Sequence, residues 1–142
     1  MVNGEGTSAA GRNPIRDAPH ERGETEKDPV LPLTLYGPEI SYFTGKLEAV
    51  LRFMELPHRR LAKGPMGDLP RVTGVAQVPA LQLADGRWLT DTTPIIGWLD
   101  ARYPEHRVIP RGPVAAFFSR LLEDYADEWL WRPAMHYRWD YA

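Results

Sequence analysis

The chain has 142 residues, 17 basic and 19 acidic side chains, a net charge of −2 and no cysteine. This length holds one domain and part of another, and the charge offers no attraction to nucleic acid or to an anionic membrane surface. No apolar run approaches the length of a membrane span, and the lack of cysteine excludes disulfides, thiolate metal sites and a Cys-x-x-Cys redox centre.

Residues 1–30 are rich in Gly, Pro, Arg and Glu and poor in large apolar side chains. They cannot bury enough surface to offset ordering, so a disordered tail is expected. Met1 to Lys27 has no apolar h-region, and its Asp17, Glu21, Glu24 and Glu26 are foreign to a transit peptide. A cytoplasmic protein is consistent with this start. Leu31 to Tyr36 reads as a first strand ended by Gly37-Pro38. Phe43 to Leu56 reads as a helix with Leu47, Val50, Leu51 and Met54 on one face, stopped by Pro57. His58 to Ala62 fits a second strand. Lys63 to Gly74, broken by Gly and Pro, fits a loop with a short helix. Ala80 to Leu83 and Arg87 to Thr90 flank Asp85-Gly86, a hairpin signal. Thr93 to Arg102 reads as a third helix with Pro94 in its first turn, ended at Tyr103-Pro104. This order predicts an α/β domain over residues 31–104, with helices on a mixed sheet. After a linker at Arg107 to Pro113, the spacing of Val114, Phe117, Phe118, Leu121, Leu122, Tyr125 and Trp129 predicts a long amphipathic helix to Trp131. Pro133 is expected to end or kink it.

Two segments point to a ligand site. In Val78-Pro79-Ala80-Leu81 a proline sits inside a short apolar run, where it cannot donate to a sheet ladder. A cis Val78-Pro79 bond would turn the chain into a strand and leave the Val78 backbone facing a ligand. Asp91-Thr92-Thr93-Pro94-Ile95-Ile96 places an acid and a hydroxyl at a helix start, where free N–H groups and the positive dipole end favour carboxylates. Together they suit a small, anionic, peptide-like ligand.

The Val-Pro, Asp-Gly, Asp-Thr and Ile-Ile-x-Trp-Leu series at this spacing resembles the glutathione S-transferase family, over roughly Leu33 to Trp131. The resemblance implies a thioredoxin-like βαβαββα domain over residues 31–104. It makes residues 105–142 a linker and the first helix of an incomplete all-α domain, so a fragment or truncated chain is expected. It implies glutathione as co-substrate, with Val78 and Pro79 on its cysteinyl backbone and Asp91 and Thr92 on its γ-glutamyl group. Thr92 stands where the family usually has serine. Ser41-Tyr42-Phe43-Thr44 is similar to the family's Ser-Pro-Phe or Cys-Pro-Phe segment, with Tyr42 in place of proline. Ser41 is thereby the candidate thiol-activating hydroxyl, and Tyr42 is its rival. A hydroxyl donor favours the thiolate of a group whose ordinary pKa is about 8.5. Ser41 is equally suited to be a helix N-cap. Tyr36 fits the core of its strand.

Lys46 and Lys63 are candidate point charges for the glycyl carboxylate, and Gln77 can offer an amide. Glu123, Asp124, Asp127 and Glu128 are expected to form a solvated face or to pair with Arg120 and Arg132. The four histidines have no metal-ligand spacing, so no metal is expected. The partners implied are glutathione, a small electrophile and a second copy in a homodimer. The Thr44-Gly45-Lys46-Leu47-Glu48-Ala49 stretch also resembles metaxin-like relatives, which implies a non-catalytic interaction module as the alternative.

Overall fold

A computed structural model describes residues 28–62, 69–74 and 77–140. Strand β1 (Leu33–Tyr36) is followed by α1 (Tyr42–Phe53), β2 (His58–Leu61), the short α2 (Leu69–Thr73), β3 (Ala80–Gln82), β4 (Trp88–Thr90) and α3 (Thr92–Arg102). The strands lie in the order β2-β1-β3-β4, with β1 parallel to β2 and antiparallel to β3, and β3 antiparallel to β4. This is the βαβαββα order and the mixed sheet expected from the sequence.

Both faces of β1 are covered, and all four of its residues are buried. Alternation along the strand sends Leu33 and Leu35 to one face. There they join Leu47 and Leu51 of α1, its C-cap Met54, and Ile95, Ile96 and Leu99 of α3 in the main core. Tyr36 faces the other side, against Leu69 of α2 and Ala80 of β3. Its hydroxyl donates to Gln82 Oε1 at 3.1 Å, and its ring packs on Trp88, so it has the core role expected of it. The turn after β1 needs glycine: a Cβ at Gly37 would lie 2.2 Å from Oγ1 of the buried Thr44. Leu83 N–H donates to the Arg87 carbonyl, and Gly86 takes a φ of +90° between them, which closes the Asp85-Gly86 hairpin. A side chain rarely adopts that φ, whereas glycine does so freely.

Two features depart from the sequence expectation near the chain's ends. Val30, assigned to the tail, is 1% exposed and part of the main core, and its carbonyl accepts from Ala84 N–H. Asp28 caps Val30 N–H and binds Arg102 and Tyr103 of the α3 end. The rest of the expected tail and Lys63 lie outside the described residues.

Beyond α3, a 3-10 turn (Pro104–His106) leads to α4 (Pro113–Asp124), a π-helical segment (Tyr125–Leu130) and α5 (Trp131–Trp139). The buried Asp100 of α3 holds the connection, accepting from Val108 N–H at 2.8 Å and Ile109 N–H at 2.9 Å. The helix does not end at Pro133 but runs on to Trp139. Proline removes one backbone donor and crowds the carbonyl four residues earlier. The wider π turns just ahead of it already displace the regular ladder at that place. No described helix is long and apolar enough to cross a membrane.

Candidate functional site

Between the α/β unit and α4 lies a pocket of about 490 Å³. Its α/β wall is built by Gln77, Val78, Pro79, Asp91, Thr92 and Phe43, and its other wall includes Arg120 and Glu123 of α4. Five of the sequence-predicted binding residues thus meet in one cavity. The Val78-Pro79 bond is cis, as the sequence predicts, and Leu31-Pro32 is cis as well. Pro79 is buried and Val78 half-buried, with the hydrophobic packing on Tyr36, Leu69 and Ala80 fixing this corner.

Asp91 is the N-cap of α3, with its side chain accepting from Thr93 N–H at 3.3 Å. Its φ is +70°, in the left-handed region, which costs a non-glycine residue of order 1–3 kcal/mol. The cap bond and the Ile95 N–H donated to the Asp91 carbonyl hold it there. The α3 start therefore presents an exposed carboxylate beside the half-charge of a helix N-terminus. Thr92, next in the chain, is buried.

Ser41 and Tyr42 are not in this pocket. They border an adjacent groove of about 240 Å³ with Trp131, Met135, Arg138 and Trp139, and Phe43 lines both cavities. Ser41 Oγ accepts from Thr44 N–H at 3.3 Å, the N-cap role. An accepting hydroxyl keeps its own proton to donate elsewhere. Tyr42 is exposed at the helix start, and the Arg138 guanidinium lies 4.9 Å from its ring centroid.

Lys46 has a different partner from the one the sequence suggested. Its Nζ donates to Glu123 Oε1 at 2.8 Å and Asp127 Oδ2 at 2.5 Å, so it docks the helical stretch onto α1 instead of standing free for a ligand. Burial alone would depress its pKa, but the two hydrogen bonds outweigh burial and raise it above the ordinary lysine value. Thr93 Oγ1 donates to the same Glu123 carboxylate at 3.0 Å. The acidic cluster is accordingly no plain solvated face: two of its members bind the α/β unit, and all four line the pocket. Thr93, Pro94, Phe43 and Arg120 also line the pocket and were not expected there from the sequence. Thr93 and Pro94 share the α3 start with Asp91 and were within reach of that signal. Among the described residues, no group of His, Asp and Glu could hold a metal ion.

Residues 40–102 match a family model described as glutathione S-transferase, N-terminal domain. Comparison with curated proteins finds no match. Among solved structures, the chain is similar to a glutathione S-transferase from Methylobacterium radiotolerans in complex with glutathione sulfonate, at 22% identity and a TM-score of 0.62, over 67% of this chain and 46% of that one. It is similar to a glutathione transferase homolog from Sulfitobacter with bound glutathione, at 23% identity and a TM-score of 0.63, over 75% of this chain and 56% of that one. A glutathione S-transferase from Methylobacillus flagellatus with glutathione bound is also similar, at 23% identity and a TM-score of 0.60, over 68% and 49%. The chain spans about half the length of these structures. The fold of the α/β unit is thioredoxin-like, and residues 40–102 are similar to the N-terminal domain of glutathione S-transferases.

Proposed function

We propose that the chain binds glutathione in the pocket between Val78-Pro79 and the α3 start, and presents its thiol to an electrophile. The observation that carries this reading is the convergence of Val78, Pro79, Asp91 and Thr92 on one cavity, with the Asp91 carboxylate at a helix N-terminus. Similar folds crystallised with glutathione support it. A γ-glutamyl group carries an ammonium and a carboxylate side by side. Asp91 supplies a partner for the first, and the N–H groups at the α3 start supply one for the second. The remaining acidic wall favours the ammonium end, and Arg120 offers a cation to a carboxylate. The cysteinyl backbone would lie along Val78, with Gln77 toward the glycyl end.

Ser41 is the hydroxyl assigned to the sulfur, with Tyr42 as the alternative. The thiol loses its proton to solvent, and the Ser41 O–H donates to the resulting thiolate. In substitution, the sulfur lone pair forms a carbon–sulfur bond while the leaving group departs with its bonding pair. In addition, the electrophile's neighbouring carbon takes up a proton. The groove of Tyr42, Phe43, Trp131 and Trp139 is apolar enough to hold that electrophile.

Calorimetry on Asp91→Ala tests the reading. Loss of a charge-assisted hydrogen bond of about 1.5–3 kcal/mol predicts glutathione binding weaker by about tenfold or more. Equal affinity in wild type and variant would count decisively against the site. The second reading is a metaxin-like interaction module without catalysis. It is favoured by the row of exposed apolar side chains on α4, and it requires that glutathione not bind at all.

A further inference from the structure

Arg138 is the feature of α5 that this site leaves unexplained. It projects into the Tyr42–Trp131 groove, where Nη1 donates to the Ile40 carbonyl at 3.0 Å. Its guanidinium carbon lies 4.9 Å from the Tyr42 ring centroid and 5.4 Å from that of Trp139. Among the described residues, no carboxylate forms an ion pair with it. A neutral carbonyl and two ring faces orient the guanidinium but leave its charge uncompensated, with further N–H donors to spare. The contrast with the neighbouring compartment of about 230 Å³ is direct. That compartment shares Tyr42, Phe43 and Trp131, and its Lys46 and Asp127 neutralise each other. The groove therefore combines apolar walls with one uncompensated cation.

We propose that Arg138 is a specificity-determining residue, selecting electrophiles that join an apolar, planar body to an anionic group such as a carboxylate or sulfonate. The inference rests on the transferase reading for the word electrophile, but not for the ligand chemistry. A planar body stacks on the rings of Trp131, Tyr42 or Trp139. The anionic oxygens take the guanidinium fork, which matches a carboxylate or sulfonate in a way that a lysine ammonium does not. A neutral compound of the same shape gains the stacking alone. Arg138 touches substrate in this account and takes no part in proton transfer.

The test compares two fluorescent probes of similar body: 1-anilinonaphthalene-8-sulfonate, which is anionic, and N-phenyl-1-naphthylamine, which is neutral. Wild type should bind the sulfonate about tenfold more tightly, the span of one charge-assisted hydrogen bond. Arg138→Gln keeps an N–H donor for the Ile40 carbonyl but removes the charge. It should abolish the preference while leaving neutral-probe affinity within about twofold. Arg138→Lys should retain part of the preference. Probe bound to the exposed side chains of α4 is common to all three proteins and does not enter the difference. An unchanged affinity ratio in Arg138→Gln overturns the proposal. Should that variant lose neutral-probe binding through misfolding, the wild type decides through salt: the preference must shrink toward molar salt while neutral-probe binding does not weaken. A preference indifferent to salt also overturns it. Glutathione affinity measured alongside separates the two claims. A wild type that ignores glutathione but keeps the Arg138-dependent preference sinks the transferase reading alone, and the reverse sinks this inference alone.

Discussion

The α/β unit and the helical stretch from Pro113 to Trp139 treat their apolar side chains in opposite ways. In the α/β unit, Leu33, Leu35, Leu51, Leu81 and Leu99 have no exposure at all. In the helical stretch no residue is buried, and Val114, Phe117, Phe118, Leu122 and Trp129 each expose more than half their surface. The helix meets the α/β unit with its charged side instead: Lys46 holds Glu123 and Asp127, and Arg138 reaches the Ile40 carbonyl. An amphipathic pattern announces that a helix has two faces, but not which face touches the rest of the chain.

The largest expected effect separates core leucines from stripe leucines. Leu51→Ala removes a fully buried side chain between α1 and the sheet and should destabilise the fold by about 3 kcal/mol, as core truncations do. Leu122→Ala, on a side chain 64% exposed, should change stability by about 0.5 kcal/mol or less. Chemical denaturation of both variants measures the contrast, and equal losses would erase it.

The stripe itself supplies the next. Seven large apolar residues from Val114 to Trp129 expose a surface on the order of 800 Å², comparable to one side of a standard protein interface. Patches above a few hundred Å² drive association. The chain is expected to self-associate at micromolar concentration, and Phe118→Glu combined with Leu122→Glu should return it to a monomer. Sedimentation velocity reads both states; a monomeric wild type would refute the expectation.

How far the sequence carried the reading differs between the two regions for the same reason. Local signals place the α/β elements: Asp85-Gly86 closes the hairpin and Asp91 caps α3 within a residue of the observed bounds, whereas α1 ends at Phe53, three residues before the expected Leu56. The pocket residues Val78, Pro79, Asp91 and Thr92 were legible because turn and cap chemistry is written in neighbours. What was not legible is long-range. Lys46 finds its carboxylates 77 and 81 residues away, and no local pattern distinguishes it from a solvated lysine. Val30 lies in a polar segment, and its burial depends on the hairpin carrying Ala84 to it. Asp100, on the buried side of α3, looks like any helical acid until the connection returns to it with two N–H groups. Pro133 suggested a helix end or kink, and the π segment that lets the helix run on past it leaves no mark in composition.

A smaller effect tests whether the charged face does the docking. Lys46→Met leaves Glu123 and Asp127, one helical turn apart, repelling each other without their cation. The loss should be about 1.5 kcal/mol, felt in the helical stretch and not in the sheet. Hydrogen exchange should quicken from residue 113 onward while β1 amides stay protected. Uniform loss of protection would mean that both regions unfold as one unit. Lys46 also sets a direction with pH. Its raised pKa makes this contribution complete at neutral pH and lost only as alkali deprotonates the ammonium.

The smallest effect lies at the opposite end of the pH scale and belongs to the α/β unit. Asp28 accepts from Arg102 Nη2 at 2.6 Å, from Tyr103 Oη at 2.8 Å and from Val30 N–H at 3.1 Å. The Arg102 hydrogen bond is the strongest influence. With the Val30 and Tyr103 bonds it outweighs burial and pulls the Asp28 pKa from 3.8 to about 2. A depressed carboxylate stabilises the fold above its unfolded pKa, and that contribution fades as pH falls from near 4 toward 2. Both partners of the ion pair are partly exposed, so solvent screening should leave about 1 kcal/mol. Asp28→Asn keeps an acceptor oxygen and removes the charge, which isolates this group from the other carboxylates that titrate in acid. Denaturation at pH 7 should find the variant less stable by that amount, and at pH 2 the difference should be mostly gone. A difference that persists undiminished into acid would show that Asp28 holds Val30 and the α3 end through hydrogen-bond geometry alone, without its charge.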